Sequence, residues 1–199
     1  MPRTRLTAAQ RREQLLDATK TIVLAGGFHA VSIEAVARGA GITRPIVYAH
    51  FDNLEGLLEA LFDRESERAL AQLGAIVTAE APPDAPADAL AVALRRYLEV
   101  AIADPQTWRL FLVPPEGAPP ALREHVERAR AVIVGQLAQA IAERDWLGRP
   151  SPDPELTART LSALADEAVR LVLTDPARFA PERVLAHTRW LLAGLSGSS

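Results

Sequence analysis

The twenty residues from Ser32 to Phe51, SIEAVARGAGITRPIVYAHF, constrain this chain more than any other stretch. Ser32 is a good helix N-cap, because its hydroxyl accepts a hydrogen bond from an otherwise orphaned helix-start N–H. Ile33, Val36, Ala37 and Ala40 follow at i, i+3, i+4 and i+7, one apolar stripe along a short helix. Gly41 supplies the left-handed backbone that commonly ends a helix. Thr43 reads as a second N-cap, and Pro45 falls in the first turn of the next helix, where its missing N–H costs nothing. Val47 and Phe51, four apart, turn inward and leave Arg44, Pro45, Ile46, Ala49 and His50 facing out. Two short helices meeting at a glycine turn describe a helix-turn-helix. That shape lays its second helix in a DNA major groove, and it also occurs as a plain packing unit.

The rest of the chain reads as helix throughout, with no alternating strand pattern and no internal repeat. A first helix is expected from Thr7 or Ala8 to Ala25, with Leu15, Thr19, Ile22 and Val23 inward and Gly26-Gly27 as its stop. Asp52-Asn53 caps a long fourth helix to about Val77. Proline-rich loops at 79–87, 114–120 and 148–154 separate helices at about 87–103, 105–113, 120–144 and 154–174. A ninth helix runs from Pro181 to about Leu195, before a disordered SGSS tail. The expected fold is therefore all-α, about nine helices: a three-helix head over residues 1–53 and a helical body over 54–199.

Composition narrows the function classes. Apolar residues make up 49% of 199 residues and aromatics only 5%, enough for a core built mainly on alanine and leucine. Without cysteine there is no disulfide framework, thiolate nucleophile or Cys-based zinc site. His29, His50, His125 and His187 show no metal-ligand spacing, so neither a metal nor a cofactor is expected. The polar start of the chain has no signal-peptide core, and no run approaches a membrane span, which predicts a soluble cytoplasmic protein. Asp166-Glu167 is a carboxylate pair, but adjacent helical residues diverge. With no GxSxG and no phosphate-binding glycine loop, no enzyme is expected.

The net charge of −3 hides an asymmetry. Residues 1–53 hold seven basic groups (Arg3, Arg5, Arg11, Arg12, Lys20, Arg38, Arg44) and four acids, while the remainder holds 15 basic and 21 acidic groups. A positive head on an acidic body suits a DNA partner, since neutralising phosphates releases counterions. Arg3 and Arg5 fit a basic arm in a minor groove, and equally a solvated tail.

The wording of the stretch adds to its geometry. IEAVARGAGITRPIVYAHF, preceded by AGGF and followed by DNLEGLLEAL, closely resembles the DNA-binding segment of the tetracycline-repressor (TetR) family of transcription regulators. The resemblance is specific over roughly residues 8 to 62 and architectural beyond. It implies a homodimer on a palindromic double-stranded DNA operator, released by a small-molecule effector. Ser32 belongs to the implied DNA face. Arg44 suits bidentate bonding to guanine, and Pro45, Ile46 and Ala49 suit thymine methyls. In the family, positions matching Thr43, Tyr48 and His50 commonly hold phosphates, although the Tyr48 ring also suits the core. The family's usual lysine at the start of the fourth helix is here Leu54, followed by Glu55. That contact is missing, and the arm or Arg38 would have to compensate.

The resemblance also implies an effector pocket among helices four to eight. Phe62, Tyr97, Trp108, Phe111, Leu112 and His125 suit its wall, with Arg95, Arg109 and Glu167 as polar groups; each of the aromatics suits plain core as well. Helices eight and nine carry more apolar surface than one buried face needs. The implied dimer interface takes Leu161, Leu164 and Val172 from one, and Val184, His187, Thr188, Leu191 and Leu192 from the other. Two heads would then present recognition helices about 34–36 Å apart. The rival reading is a helical protein-interaction module without sequence-specific DNA binding.

Overall fold

The computed structural model describes residues 6–77, 86–114, 116–143 and 150–196. Among the described residues it is all helical, with nine α-helices and a short 3-10 turn: α1 (Ala8–Gly26), α2 (Ile33–Gly39), α3 (Arg44–Tyr48), α4 (Leu54–Val77), α5 (Pro86–Ala103), α6 (Pro105–Leu112), α7 (Pro120–Glu143), α8 (Pro154–Thr174) and α9 (Pro181–Ser196). Arg3, Arg5, Arg144 and the end of the SGSS tail lie outside the described residues. The chain divides into two compact units, Met1–Glu67 with Pro114–Val126, and Arg68–Val113 with Glu127–Ser199. Packing thus draws its line beyond residue 53, and brings the start of α7 to the first unit.

The first unit is held by rules local to its sequence. Thr7 and Gln10 form a reciprocal capping box at α1. Ser32 Oγ accepts from the Ala35 N–H at 3.1 Å, capping α2 as its position predicts. At the other end of α2, Ile42 N–H donates to the Ala37 carbonyl and Gly41 N–H to that of Arg38, the paired bonds of a Schellman cap. Gly41 has φ 65°, the left-handed value expected of it. Asn53 Oδ1 caps α4 through the Gly56 N–H at 2.8 Å. Leu15, Val23, Val36, Val47, Leu57, Leu61 and Phe62 are fully buried, with Phe28 edge-on to Phe62 at 5.8 Å between ring centroids.

Gly27 is the backbone position the unit depends on most. At φ 74° and ψ 176° it sits in a region open almost only to glycine. There its neighbour Phe28 donates an N–H to the Glu116 carbonyl at 3.0 Å, and a Cβ on Gly27 would meet that same oxygen at 3.0 Å. Gly27→Ala is expected to destabilise by about 1–3 kcal/mol, read as a lower urea midpoint at unchanged slope. A variant as stable as the parent would refute that account.

The second unit packs α5 against α8 and α9, with α6 against α5 and α8. Asp104 and Asp153 cap α6 and α8 through the Thr107 and Leu156 N–H groups, each ahead of a first-turn proline. Its core joins Ala69, Leu94, Tyr97, Leu98, Trp108, Val169, Val172 and Leu185. A smaller cluster joins Ala89, Val134, Ile141 and Ala158. Among the described residues, no helix is long and apolar enough to cross a membrane.

Candidate nucleic-acid interface and body cavity

The outward side of α3 is built by what its inward side buries. Val47 is fully buried and Phe51 nearly so, which fixes the helix axis on the core of the first unit. Arg12, from α1, closes the far end: its guanidinium lies 4.5 Å from the Phe51 ring centroid and donates to the His50 carbonyl at 3.3 Å. Thr43, Arg44, Pro45, Ile46, Tyr48 and Ala49 are exposed, and His50 is half-buried. Tyr48 settles between its two readings: at 47% exposure the ring is a surface group, outside the core.

Thr43 precedes α3 without capping it by its side chain, contrary to expectation, so the hydroxyl stands exposed at the helix start. Arg44 reaches back to α2 and pairs with Glu34 at 2.6 Å, both groups well exposed. The Tyr48 hydroxyl and the Glu34 carboxylate together hold the Arg44 guanidinium above its ordinary value. Arg38 is exposed and has no side-chain partner among the described residues. Leu54, at the family's lysine position, is half-buried at the start of α4. Lys20 does not add to this positive face. It is 4% exposed and pairs with the fully buried Glu65 at 2.6 Å.

The second unit contains a cavity of about 1220 Å³, walled by α4, α5, α7, α8 and α9. Its lining is apolar except at a few points, and Leu164, Trp190 and Leu191 on its rim are exposed. The polar wall centres on Asp166, whose two oxygens accept from the Tyr97 hydroxyl at 3.0 Å and from Arg130 at 2.9 Å. Burial raises the Asp166 carboxyl above its ordinary value, against the opposing pull of Arg130. Burial and the nearby Asp166 charge push the Tyr97 phenol well up, so it remains a proton donor.

Residues 15–61 match the family model of bacterial regulatory proteins, tetR family. Over that segment the chain is similar to the TetR family. The HTH-type transcriptional regulator UidR of Escherichia coli K12 is 34% identical over 65 residues, covering 33% of this chain and 33% of UidR. The match therefore spans a third of the length of that curated relative. Over the whole chain, the fold is that of a TetR-like transcriptional regulator from Rhodococcus sp. RHA1, with a TM-score of 0.73, 23% identity, and 98% and 100% of the two chains covered. It is also that of the transcriptional regulator FadR from Bacillus subtilis in complex with stearoyl-CoA, with a TM-score of 0.69, 17% identity, and 93% and 97% covered. At such identities the likeness concerns the fold alone.

Within this fold, the residues named for an effector pocket scatter. Tyr97 and Glu167 line the cavity. Trp108 does not: it is 2% exposed, packs edge-on to Tyr97 at 4.8 Å and donates its indole N–H to Gln72. Phe111 and Leu112 pack against the same core. Arg109 donates to the Leu173 carbonyl at 3.0 Å, satisfying one of the carbonyls that a helix end leaves open. Arg95 is exposed and outside the lining. Phe62 and His125 belong to the first unit, where their rings meet at 5.8 Å and His125 contacts Asp63 at 2.8 Å.

The residues named for a dimer interface divide differently. Leu164, His187 and Leu191 are exposed, and Leu161, Val184 and Thr188 half-buried. Val172 and Leu192 are 4% and 6% exposed, turned into their own unit with no surface to offer a second copy. Trp190, outside the expected interface set, is the most exposed large apolar side chain among the described residues at 69% and stacks on His187 at 5.5 Å. Asp166 is a cavity group that sequence reasoning misses, and Arg130 is its ion-pair partner. The signal for Asp166 is an acid inside the apolar run ALADEAV, which a surface helix would not need.

Proposed function

We propose that this chain is a cytoplasmic, homodimeric transcriptional regulator, most simply a repressor, that binds a palindromic operator through α3 and is released by a small apolar or aromatic effector. The observation that carries the reading is the α3 face. Arg44, Ile46, Tyr48 and Ala49 stand exposed on a helix fixed by a buried core, inside the segment that matches the family model. Exposed base-reading groups on a rigid helix are what major-groove readout needs. The functional division is a DNA-binding segment over 1–53 and a ligand and dimer segment over 54–199, which begins with α4. The cavity in the second unit, and stearoyl-CoA in the similarly folded FadR, favour an effector in the body. An effector releases DNA only by binding one arrangement of the paired heads more tightly than the other.

A salt-titrated gel shift on the DNA flanking the protein's own gene tests this. Binding confined to one palindrome and falling steeply with salt is the expected result; indifference to DNA at low ionic strength sinks the reading. The dimer has its own test. Leu164→Glu with Trp190→Glu places charges on exposed apolar positions of α8 and α9, which leaves the core alone. Sedimentation should then show a monomer whose operator affinity drops at least tenfold, because half-site binding loses its linked partner. A variant that remains dimeric would remove these helices from the interface.

A further inference from the structure

We propose that the cavity of the second unit takes an uncharged, predominantly apolar molecule carrying one hydroxyl, seated between Ser162 and Asp166. This rests on the regulator reading above and names the chemistry of its effector. Ser162 and Asp166 both line the cavity and lie one turn apart on α8, on the same helix face. Asp166 uses two of the roughly four acceptor positions of a carboxylate, on Tyr97 and Arg130. The Ser162 hydroxyl has no partner among the described residues and can donate. A hydroxyl is the small group that satisfies both at once, giving its hydrogen to Asp166 and accepting from Ser162.

Charge excludes the obvious alternatives. A ligand carboxylate or phosphate seated there would meet the Asp166 carboxylate, whose side chain is only 19% exposed and little screened. A cation gains little, because Arg130 already compensates Asp166 at 2.9 Å. The basic groups on the lining are spoken for at the rim. Arg183 donates to the Arg178 carbonyl and lies 5.5 Å from the Phe179 ring centroid, and His187 stacks on Trp190. The remaining wall, with Leu73, Ile76, Leu90, Leu94 and Leu137, is aliphatic and suits a saturated body.

Decan-1-ol and decanoate share a tail and differ only in the head, so calorimetric titration of both into the full chain at neutral pH is the test. The alcohol is expected to bind about tenfold more tightly than the carboxylate. Asp166→Asn should cut that preference below about threefold by relieving the carboxylate, and Ser162→Ala should weaken the alcohol roughly three- to tenfold, with circular dichroism confirming that both variants remain folded. Decanoate binding as tightly as the alcohol, or a preference that survives Asp166→Asn, would overturn the proposal. So would decanoate binding that vanishes in Arg183→Ala, which would put an anionic head at the rim, and so would no binding of either compound. Because the readout is ligand binding alone, loss of operator binding by the ligand-free protein would sink the regulator reading and leave this result standing.

Discussion

Glu65→Ala is expected to lower stability by about 3–5 kcal/mol, the cost of removing one partner of a buried ion pair. Glu65 is fully buried on α4, with one oxygen on Lys20 of α1 at 2.6 Å and the other on Arg64 at 2.7 Å. Arg64 keeps Glu13 and Asp17, both at 2.9 Å, so its charge stays compensated when Glu65 is gone. Lys20 is in a worse position: its side chain is 5% exposed, and removing the carboxylate takes the counter-charge from a buried ammonium. For a chain of this size the loss amounts to a fall in Tm of roughly 10 °C. The control is Lys20→Met with Glu65→Leu, which replaces the pair by apolar volume and should recover most of the loss. If Glu65→Ala costs less than about 1 kcal/mol, the pair does not tie α1 to α4 in the way its geometry implies.

Lys20 also marks where reading the sequence stops. Counted among the basic groups of residues 1–53, it looks like part of a DNA-facing charge. Nothing within a turn or two of it signals that its partner stands 45 residues along the chain. What was legible followed local rules. Ser32 caps, Gly41 takes a positive φ, and Val47 and Phe51 go in while Arg44 and Ile46 stay out, because each depends on neighbours within about one helical turn. The helix boundaries were legible for the same reason, since Asp104-Pro105 and Asp153-Pro154 act where they stand.

The body was less legible because its questions are about which helix meets which. Apolar spacing placed Trp108, Phe111 and Leu112 on α6 correctly but could not tell a core wall from a cavity wall. Phe62 and His125 were read as body residues, yet the start of α7 packs in the first unit, and no local pattern announces that return. On α8 and α9, Val172 and Leu192 carry the same apolar signal as Leu164 and Leu191; only the packing of α5 and α6 decides which pair is covered within the chain. Capping, by contrast, failed once where it was expected. Thr43 is spaced to cap α3 and does not.

Arg44→Ala carries the second large effect, and its signature separates base reading from mere attraction. On the true operator, affinity should fall roughly 10- to 100-fold, the range for losing one bidentate contact to guanine. On random DNA it should change little, and the slope of affinity against salt should hold nearly constant, since a base contact releases no phosphate counterion. Arg38→Ala should do the opposite, weakening all sequences alike and reducing the salt slope by about one. The Glu34 pair sharpens the comparison. In the free protein Arg44 is held 2.6 Å from Glu34 across the turn, a contact too exposed to matter for folding. Both Arg44→Ala and Glu34→Ala should therefore melt like the parent, and Glu34→Ala should bind every sequence somewhat better by removing an anion beside the phosphates. An Arg44→Ala protein that loses affinity equally on operator and random DNA would assign Arg44 to a phosphate and leave sequence reading to Ile46, Tyr48 and Ala49.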